Sequence, residues 1–272
     1  MTINLNDKGL KSIAEDYDLY FIDLWGVVHN GISLFEDAVK VLNQLESLNK
    51  KYVLLTNAPR PNINVRKFLD KMDLDKKKSE KVYTSGEAAL QYLKNEYKDK
   101  KFFHIGPPRD FDLFTYFEGN KISEIHQSEY LLCTGLFDNQ DQDLNYYKKL
   151  FEKEKTKKMI CTNPDLVVDR GESREYCAGS IAKLFEDMGG EVEYFGKPYP
   201  NVYNLATHID TKKVLCIGDN LNTDIRGANI QKFSSLLISS GVHRNELKNN
   251  NNENLFNQYK VNVDYIQSKL IW

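Results

Sequence analysis

The 272-residue sequence predicts an α/β fold in which a second α/β domain is inserted into a parallel-sheet domain. Its length corresponds to two domains of roughly 150 residues each. Short apolar strands alternate with helical patterns at both ends of the chain, which is typical of βαβ units and a parallel sheet. Between about Lys101 and Gly190 the pattern changes to aromatic-rich strands. We therefore expect a Rossmann-like core over 1–99 and 191–272, with an inserted domain over 100–190.

The individual elements follow from the spacing of apolar residues. In 35–48, for example, apolar side chains recur at helical intervals, and Pro61 suits the first turn of a helix. The first part of the core is predicted to contain strand 19–23, helix 35–48, strand 52–56, helix 61–72, strand 82–85 and helix 86–97. The insertion is predicted to contain strands 102–105, 130–134 and 159–162, with a polar helix after Asp141. The resumed core is predicted to contain strand 192–195, helix 200–208, strand 214–217, a short helix from 223 and strand 235–238. The Asn-rich stretch 245–254 is expected to be a flexible loop before a last helix.

Composition argues against several classes of function. Lys and Arg number 37 against 39 Asp and Glu, so the net charge of -2 favours no nucleic-acid partner. No apolar run reaches 18 residues, and the N-terminus has no basic segment followed by an apolar stretch, so we expect neither a membrane span nor export. The four cysteines form no C-x-x-C pair, which favours reduced thiols in a cytoplasmic protein.

Polar side chains end four of the predicted core segments. Asp23 ends the first strand, Thr56 and Asn57 end the second, Lys197 follows Phe195-Gly196, and Asp219 ends Cys-Ile-Gly-Asp with Asp224 five residues later. In open parallel sheets ligands bind beyond the carboxyl ends of the strands, so we expect these groups to converge. Such a set suits phosphoryl transfer, because a carboxylate can attack phosphorus while Mg²⁺ and a lysine offset the phosphate charge.

These segments resemble the four motifs of the haloacid dehalogenase superfamily, in particular its class IIA phosphatases related to NagD and pyridoxal phosphatase. Asp-Leu-Trp-Gly-Val matches the first motif, Leu-Leu-Thr-Asn the second, Gly-Lys-Pro the third and Gly-Asp to Thr-Asp-Ile the fourth. The resemblance covers nearly the whole chain. It implies that the inserted domain is a C2-type α/β cap, whose signature Thr-Asn-Pro-Asp resembles residues 162–165.

The resemblance also implies a role for each matching residue. Asp23 would be the nucleophile that forms an aspartyl-phosphate, and Mg²⁺ would be held by Asp23, Asp219 and the carbonyl of Trp25. Thr56 and the Asn57 N–H would hold the phosphoryl group. Lys197 would bridge the phosphate and the nucleophile, and Asp224 would orient Lys197 or metal-bound water.

One position departs from the family pattern. Phosphatases of the family carry a second aspartate two residues after the nucleophile, where it protonates the leaving group and then activates water. Here that residue is Trp25. An indole cannot take or deliver a proton in this role, and the loss of a positioned general acid-base reduces a rate by roughly 10²–10⁴-fold.

Three interpretations of Trp25 stay open. The first is a phosphatase in which another group supplies the proton, and His29 is the candidate because histidine titrates near neutral pH. The second is different chemistry at Asp23, such as the carbon-phosphorus cleavage of another branch of the superfamily. The third is a protein that binds a phosphorylated ligand without turnover.

The cap is expected to select the substrate, since a lid supplies selectivity in this architecture. Asn163, Asp165 and Arg174 are the predicted substrate contacts in the cap. The resemblance implies a small phosphorylated metabolite as the substrate and a homodimer formed through the cap.

Overall fold

The computed structural model of the chain describes residues 2–140, 143–170, 173–249 and 251–272. The strands in these residues are β1 (Ile3–Asn4), β2 (Leu19–Ile22), β3 (Lys51–Thr56), β4 (Val82–Thr84), β5 (Phe102–Ile105), β6 (Tyr130–Cys133), β7 (Lys158–Cys161), β8 (Val167–Arg170), β9 (Ser173–Tyr176), β10 (Glu191–Tyr194), β11 (Val214–Gly218), β12 (Ser234–Ile238) and β13 (Tyr265–Gln267). The α-helices are α1 (Glu36–Ser47), α2 (Asn62–Asp70), α3 (Lys76–Ser79), α4 (Ser85–Glu96), α5 (Leu144–Phe151), α6 (Ala178–Asp187), α7 (Pro200–Ala206), α8 (Arg226–Gln231), α9 (Arg244–Asn249) and α10 (Asn252–Tyr259). A π-helical turn, Leu221–Ile225, leads into α8.

The larger sheet has seven strands in the order β1-β13-β12-β11-β2-β3-β4. Strands β2 and β11 lie next to each other in its middle, run parallel, and pair Ile22 with Ile217. Every residue of these two strands is buried, as expected for parallel strands covered on both faces. The polar residues that follow β2 and β11 therefore leave the sheet at the same edge.

The chain forms two compact units. The first consists of Met1–Thr56, Arg66–Tyr83 and Lys197–Trp272, and the second of Asn57–Val65 and Thr84–Gly196. The first unit carries the seven-stranded sheet. The second carries a parallel sheet in the order β10-β7-β6-β5 and an antiparallel hairpin formed by β8 and β9. The α/β fold with a central parallel sheet is thus confirmed, whereas the boundaries 1–99, 100–190 and 191–272 stay a prediction.

The second unit has its own hydrophobic core. Side chains of β6 and β7 pack there against α5 and α6, and the aromatic members Tyr147, Phe151 and Phe185 are fully buried. The Phe151 and Phe185 rings meet edge to face at 5.1 Å. The aromatic-rich texture of the predicted insertion is therefore core packing of an α/β unit.

Strand β10 belongs to a different sheet from the one expected. The sequence placed it in the resumed core, but Glu191–Tyr194 pairs in parallel with Lys158–Cys161 in the four-stranded sheet. It forms the edge of that sheet, and Lys158 makes ion pairs with Glu191 and Glu193. The alternation Glu-Val-Glu-Tyr predicts an edge strand but does not say to which sheet it belongs.

The expectation of a flexible loop at 245–254 was wrong for the residues described there. Helices α9 and α10 occupy Arg244–Asn249 and Asn252–Tyr259. The Asn251 side chain caps α10 by accepting a hydrogen bond from the Glu253 N–H at 2.8 Å. Asparagine is a poor residue inside a helix but a favoured N-cap, so an Asn-rich run can contain helix boundaries. Among the described helices, none is long and apolar enough to cross a membrane.

Candidate active site

Asp23 and Asp219 start from the same edge of the seven-stranded sheet. Asp23 follows β2 directly, and its N–H donates to the Ile217 carbonyl of β11 at 2.8 Å. Asp219 follows the last residue of β11. Both side chains are buried, at 8% and 7% exposure. The register of two parallel strands therefore brings together carboxylates that lie almost 200 residues apart in the sequence.

Lys197 joins Asp23 to Asp224. Its Nζ donates to Asp23 Oδ1 at 2.5 Å and to Asp224 Oδ1 at 2.7 Å. The other Asp224 oxygen, Oδ2, accepts from the Asn220 N–H at 3.1 Å, so both oxygens of this carboxylate are held. All three side chains are at most 10% exposed. Such shielding from solvent strengthens these charged hydrogen bonds.

Asp219 is held by backbone rather than by a basic side chain. Its Oδ2 accepts from the Val242 N–H at 2.9 Å. A β-carbon at Gly26 would lie 2.3 Å from this oxygen, and one at Gly241 would lie 2.0 Å from it. Gly26 also has a φ of 81°, which favours glycine. Sequence reasoning missed these two glycines and Val242, although the pair Gly-Val occurs at both positions.

The cluster carries an excess of negative charge. Asp23, Asp219 and Asp224 each offer an oxygen, and these atoms lie within 4.8 Å of one another. Burial raises the pKa of Asp219 strongly, and the neighbouring Asp23 and Asp224 carboxylates raise it further. Burial also raises the pKa of Asp224, whereas the Lys197 ammonium opposes this effect. Buried carboxylate oxygens with surplus negative charge suit a hard divalent cation.

Two family models match the segments that carry these residues. Residues 20–117 match the haloacid dehalogenase-like hydrolases, and residues 194–260 match a second, HAD-hydrolase-like model. Together they span more than half of the chain, including Asp23, Lys197, Asp219 and Asp224. The chain belongs to the haloacid dehalogenase-like hydrolases. The resemblance inferred from the four motifs is thereby confirmed.

Similar proteins of this hydrolase family extend over nearly the full chain. Phosphoglycolate phosphatase 2 of Arabidopsis thaliana is 24% identical, and the alignment covers 88% of each protein. The 5'-nucleotidase YutF of Bacillus subtilis is also 24% identical, over 85% of this chain and 90% of the relative. A haloacid dehalogenase-like hydrolase from Brucella suis has a solved structure with a TM-score of 0.81 and 27% identity, covering 97% of this chain and 99% of its own. The enzyme class predicted from the sequence, a phosphatase of this family, agrees with these relatives.

Thr56 ends β3, the neighbour in the sheet of the strand β2 that Asp23 follows. In the pairing of β2 with β3, Ile22 lies opposite Leu54, so Leu55 and Thr56 extend past the end of β2. Thr56 is buried at 8% exposure. A small space at this edge is lined by Asp23, Leu55, Lys197 and Asp224 together with Phe21, Tyr203 and Cys216. Three of these residues, Asp23, Lys197 and Asp224, are predicted catalytic residues.

Trp25 occupies the turn that follows Asp23. Its indole lies over Gly31, where an added β-carbon would be 2.5 Å from the Trp25 ring. The ring also meets His29 edge to face at 5.4 Å. Trp25 is thus a packing residue of the loop before α1, and its side chain brings no carboxylate to this position.

His29 is buried and contacts two aromatic rings. Its ring centroid lies 5.7 Å from that of Phe68, in addition to the Trp25 contact, and its Nδ1 accepts from the Gly31 N–H at 3.0 Å. Burial lowers the pKa of His29 to about 4, so the imidazole is neutral at pH 7. A neutral imidazole with one nitrogen already accepting a hydrogen bond is a poor proton donor. The catalytic role of His29 stays a prediction, and these contacts do not favour it.

The predicted substrate contacts Asn57, Asn163 and Asp165 lie together in the second unit. Asn57 Nδ2 donates to Asp165 Oδ1 at 3.1 Å, and Asn163 Oδ1 accepts from the Asp165 N–H at 2.9 Å. The second bond is an Asx turn, which fixes the loop after β7. Arg174 is exposed on β9 of the hairpin. The binding roles of these four residues stay predictions.

Proposed function

We propose that this protein is a Mg²⁺-dependent phosphatase of small phosphorylated metabolites in which Asp23 is the nucleophile. The observation that carries the proposal is the Lys197 ammonium placed 2.5 Å from Asp23 Oδ1 and 2.7 Å from Asp224 Oδ1 in a buried site. An ammonium at this distance forms a charge-assisted hydrogen bond with the Asp23 carboxylate and holds the nucleophilic group in place.

The reaction would proceed in two displacements at phosphorus. In the first, an Asp23 oxygen forms a bond to phosphorus while the bond between phosphorus and the leaving oxygen of the substrate breaks. In the second, water attacks the phosphorus of the aspartyl-phosphate, which releases inorganic phosphate and restores the carboxylate. Lys197 would hold an oxygen of the phosphoryl group, and Thr56 would donate its hydroxyl to another.

The carboxylates fit the expected metal. Mg²⁺ would be held by Asp23, Asp219 and the Trp25 carbonyl, and when bound it would offset the negative charge of the phosphoryl group. A β-carbon at Gly26 or Gly241 would collide with Asp219 Oδ2, so these glycines allow the backbone to pack closely against the carboxylate and hold it in place. Asp224, whose two oxygens bond Lys197 and Asn220, would orient the lysine.

The substrate class is supported by the relatives and by the second unit. The relatives include a phosphoglycolate phosphatase and a 5'-nucleotidase, so a small phosphomonoester is the shared feature. The Asn57 N–H is proposed to hold the phosphoryl group together with Thr56, and Asn163, Asp165 and Arg174 are proposed to contact the part of the substrate beyond its phosphate. A cytoplasmic location, no nucleic-acid partner and a homodimer formed through the cap complete the proposal.

Trp25 supports one competing function. A site without a positioned acid that still holds Lys197 against two carboxylates suits a protein that binds a phosphorylated ligand and does not turn it over. Phosphonate cleavage at Asp23 is a further possibility, because that branch also lacks the aspartate. Both alternatives predict no metal-dependent hydrolysis of phosphomonoesters.

The test is phosphate release from a panel of phosphomonoesters, with Mg²⁺ and with chelator, by the wild type and by Asp23→Asn. We expect Asp23→Asn to reduce release at least 10³-fold while Asp37→Asn, on the exposed face of α1, leaves it unchanged. Equal release by wild type and Asp23→Asn would overturn the mechanism. If the wild type releases no phosphate from any member of the panel, the result favours the competing function.

A second measurement tests whether the site lacks a proton donor for the leaving group. Without a proton donor, substrates with good leaving groups such as p-nitrophenyl phosphate should react much faster than alkyl phosphates. Trp25→Asp should raise the rate on alkyl phosphates roughly 10²-fold and change the nitrophenyl rate little. Trp25→Phe, which keeps an aromatic ring over Gly31, is the control for lost packing.

A further inference from the structure

Tyr203 has a buried hydroxyl that the mechanism above does not use. It lies on α7, is 1% exposed, and its ring meets Phe21 edge to face at 5.1 Å. Within the described residues its hydroxyl has no hydrogen-bond partner. Buried polar groups are almost always hydrogen-bonded, and an unsatisfied one is destabilising. Phenylalanine would make the same ring contacts without this loss.

The fold also makes room for this hydroxyl. A β-carbon at Gly227 would lie 2.0 Å from the Tyr203 oxygen, so only glycine is accommodated there. Gly227 lies in α8, where glycine is less favourable than alanine. Two features that reduce stability, an unsatisfied hydroxyl and a helical glycine, thus occur at one point. Such a combination is typical of a group kept for function.

The surroundings of the hydroxyl are the catalytic cluster. Tyr203 lines the same small space as Asp23, Lys197 and Asp224, together with the apolar Phe21 and Leu55 and the Cys216 thiol. Burial raises the pKa of Tyr203, and the nearby Cys216, Asp224 and Asp23 act in the same direction. The phenol is therefore protonated and is a hydrogen-bond donor close to carboxylate acceptors.

We propose that Tyr203 is a positioning residue whose hydroxyl donates to the Asp224 carboxylate when Lys197 turns from Asp224 toward the phosphoryl group. This inference rests on the proposed function, because that function requires Lys197 to bind phosphate. In the structure Lys197 occupies Asp224 Oδ1 and the Asn220 N–H occupies Oδ2. Once Lys197 leaves, Asp224 is a buried carboxylate that lacks one hydrogen bond, and Tyr203 carries a hydroxyl that lacks an acceptor. A hydrogen bond between the Tyr203 hydroxyl and Asp224 would satisfy both groups, which line the same space.

The test compares three Tyr→Phe variants. Tyr203→Phe should lower kcat roughly ten-fold on p-nitrophenyl phosphate, leave KM nearly unchanged, and leave the melting temperature equal or higher. Tyr130→Phe is the matched control: in the described chain its buried hydroxyl also lacks a partner, and it lies in the second unit. Its kcat should be unchanged. Tyr20→Phe removes a hydroxyl that donates to the Ala14 carbonyl at 2.9 Å, so it should lower the melting temperature.

A spectroscopic readout separates this inference from the proposed function. With tyrosine labelled at Cζ, the Tyr203 carbon resonance, assigned from Tyr203→Phe, should shift when Mg²⁺ and inorganic phosphate are added, because its hydroxyl gains an acceptor. The shift requires no turnover. A Tyr203 resonance that does not move overturns the inference even where hydrolysis depends on Asp23. Absence of Asp23-dependent hydrolysis overturns the proposed function, and the resonance then still decides whether phosphate binding engages Tyr203.

Discussion

Two buried polar clusters in this protein lie at the carboxyl ends of parallel strands, yet they differ in charge. In the first unit, Asp23, Asp219 and Asp224 share one ammonium, that of Lys197. In the second unit, His104 of β5 bonds Thr134 Oγ1 through Nε2 at 2.8 Å, and Asp110 also bonds this hydroxyl. Both clusters are almost inaccessible to solvent.

The cluster of the second unit carries at most the single negative charge of Asp110 near pH 7 and is uncharged near pH 5. Burial lowers the pKa of His104 to about 3, and Lys121 acts in the same direction. Burial raises the pKa of Asp110 to about 6, a shift that the Thr134 hydrogen bond and the nearby Arg109 and Arg60 reduce and that Asp138 increases. A threonine hydroxyl can donate to one of these groups and accept from the other, so the Asp110-Thr134-His104 cluster satisfies itself.

This difference shows that a position at a strand end does not by itself make an active site. The second cluster needs no ligand, because its members are hydrogen-bonded and largely uncharged near pH 5. The first keeps three carboxylates that burial disfavours, two of which share the Lys197 ammonium, so a cation or a change of partner stabilises it. Excess like charge, rather than location, marks the site.

The largest predicted effect follows from removing the Lys197 ammonium. Lys197→Met leaves two buried carboxylates without their shared donor, which should lower the free energy of unfolding by roughly 3–5 kcal/mol and abolish hydrolysis. Urea melts followed by circular dichroism measure the first effect, and phosphate release measures the second.

Lys78→Met is the matched control for this prediction. Lys78 is also buried and bonds Glu46 at 2.9 Å, but Glu46 keeps Tyr52 and Lys81 as partners when Lys78 is lost. The variant should therefore lose less stability than Lys197→Met and retain activity. A loss at Lys78 equal to that at Lys197 would contradict the claim that excess negative charge distinguishes the catalytic cluster.

The second prediction uses Mg²⁺ to separate the clusters. At a concentration 100 times its Kd, a cation that binds only the folded state adds about 2.7 kcal/mol, or roughly 5–10 °C in melting temperature. We expect this increase in the wild type and in Asp110→Asn, and its loss in Asp219→Asn. If Mg²⁺ still raised the melting temperature of Asp219→Asn, the cation would bind elsewhere.

The four motif segments and the alternation of strands and helices predict the parallel sheet and the carboxylates at its edge, because these features depend on local patterns. Contacts made by backbone or by a distant chain segment were not predicted. Val242 N–H on Asp219 and the glycines at 26 and 241 belong to this group, because nothing local marks them as neighbours. The sheet to which β10 belongs is set by pairing with β7, which its own residues do not encode.

The smallest predicted effect is the pH dependence of the stability that the Asp110-Thr134-His104 cluster contributes. The folded pKa of Asp110 is about 6, above the value of 3.8 for an unperturbed carboxyl, so the folded state binds the proton more tightly. Its contribution to stability is fully present below pH 3.8 and is lost as the pH rises through 6. Lowering the pH from 7 to 5 should therefore favour the wild type over Asp110→Asn by about 1 kcal/mol in free energy of unfolding.

The contribution of His104 to stability changes with pH in the opposite direction to that of Asp110. Its folded pKa of about 3 lies below the ordinary 6.5, so its contribution is present above pH 6.5 and is lost as the pH falls toward 3. The two contributions oppose each other between pH 4 and 6, and Asp110→Asn leaves the His104 loss uncompensated. Asp99→Asn, at an exposed carboxylate of the second unit, should behave like the wild type. The structure indicates that the two clusters differ in charge. Parallel profiles of the free energy of unfolding against pH for the wild type and Asp110→Asn would contradict this difference.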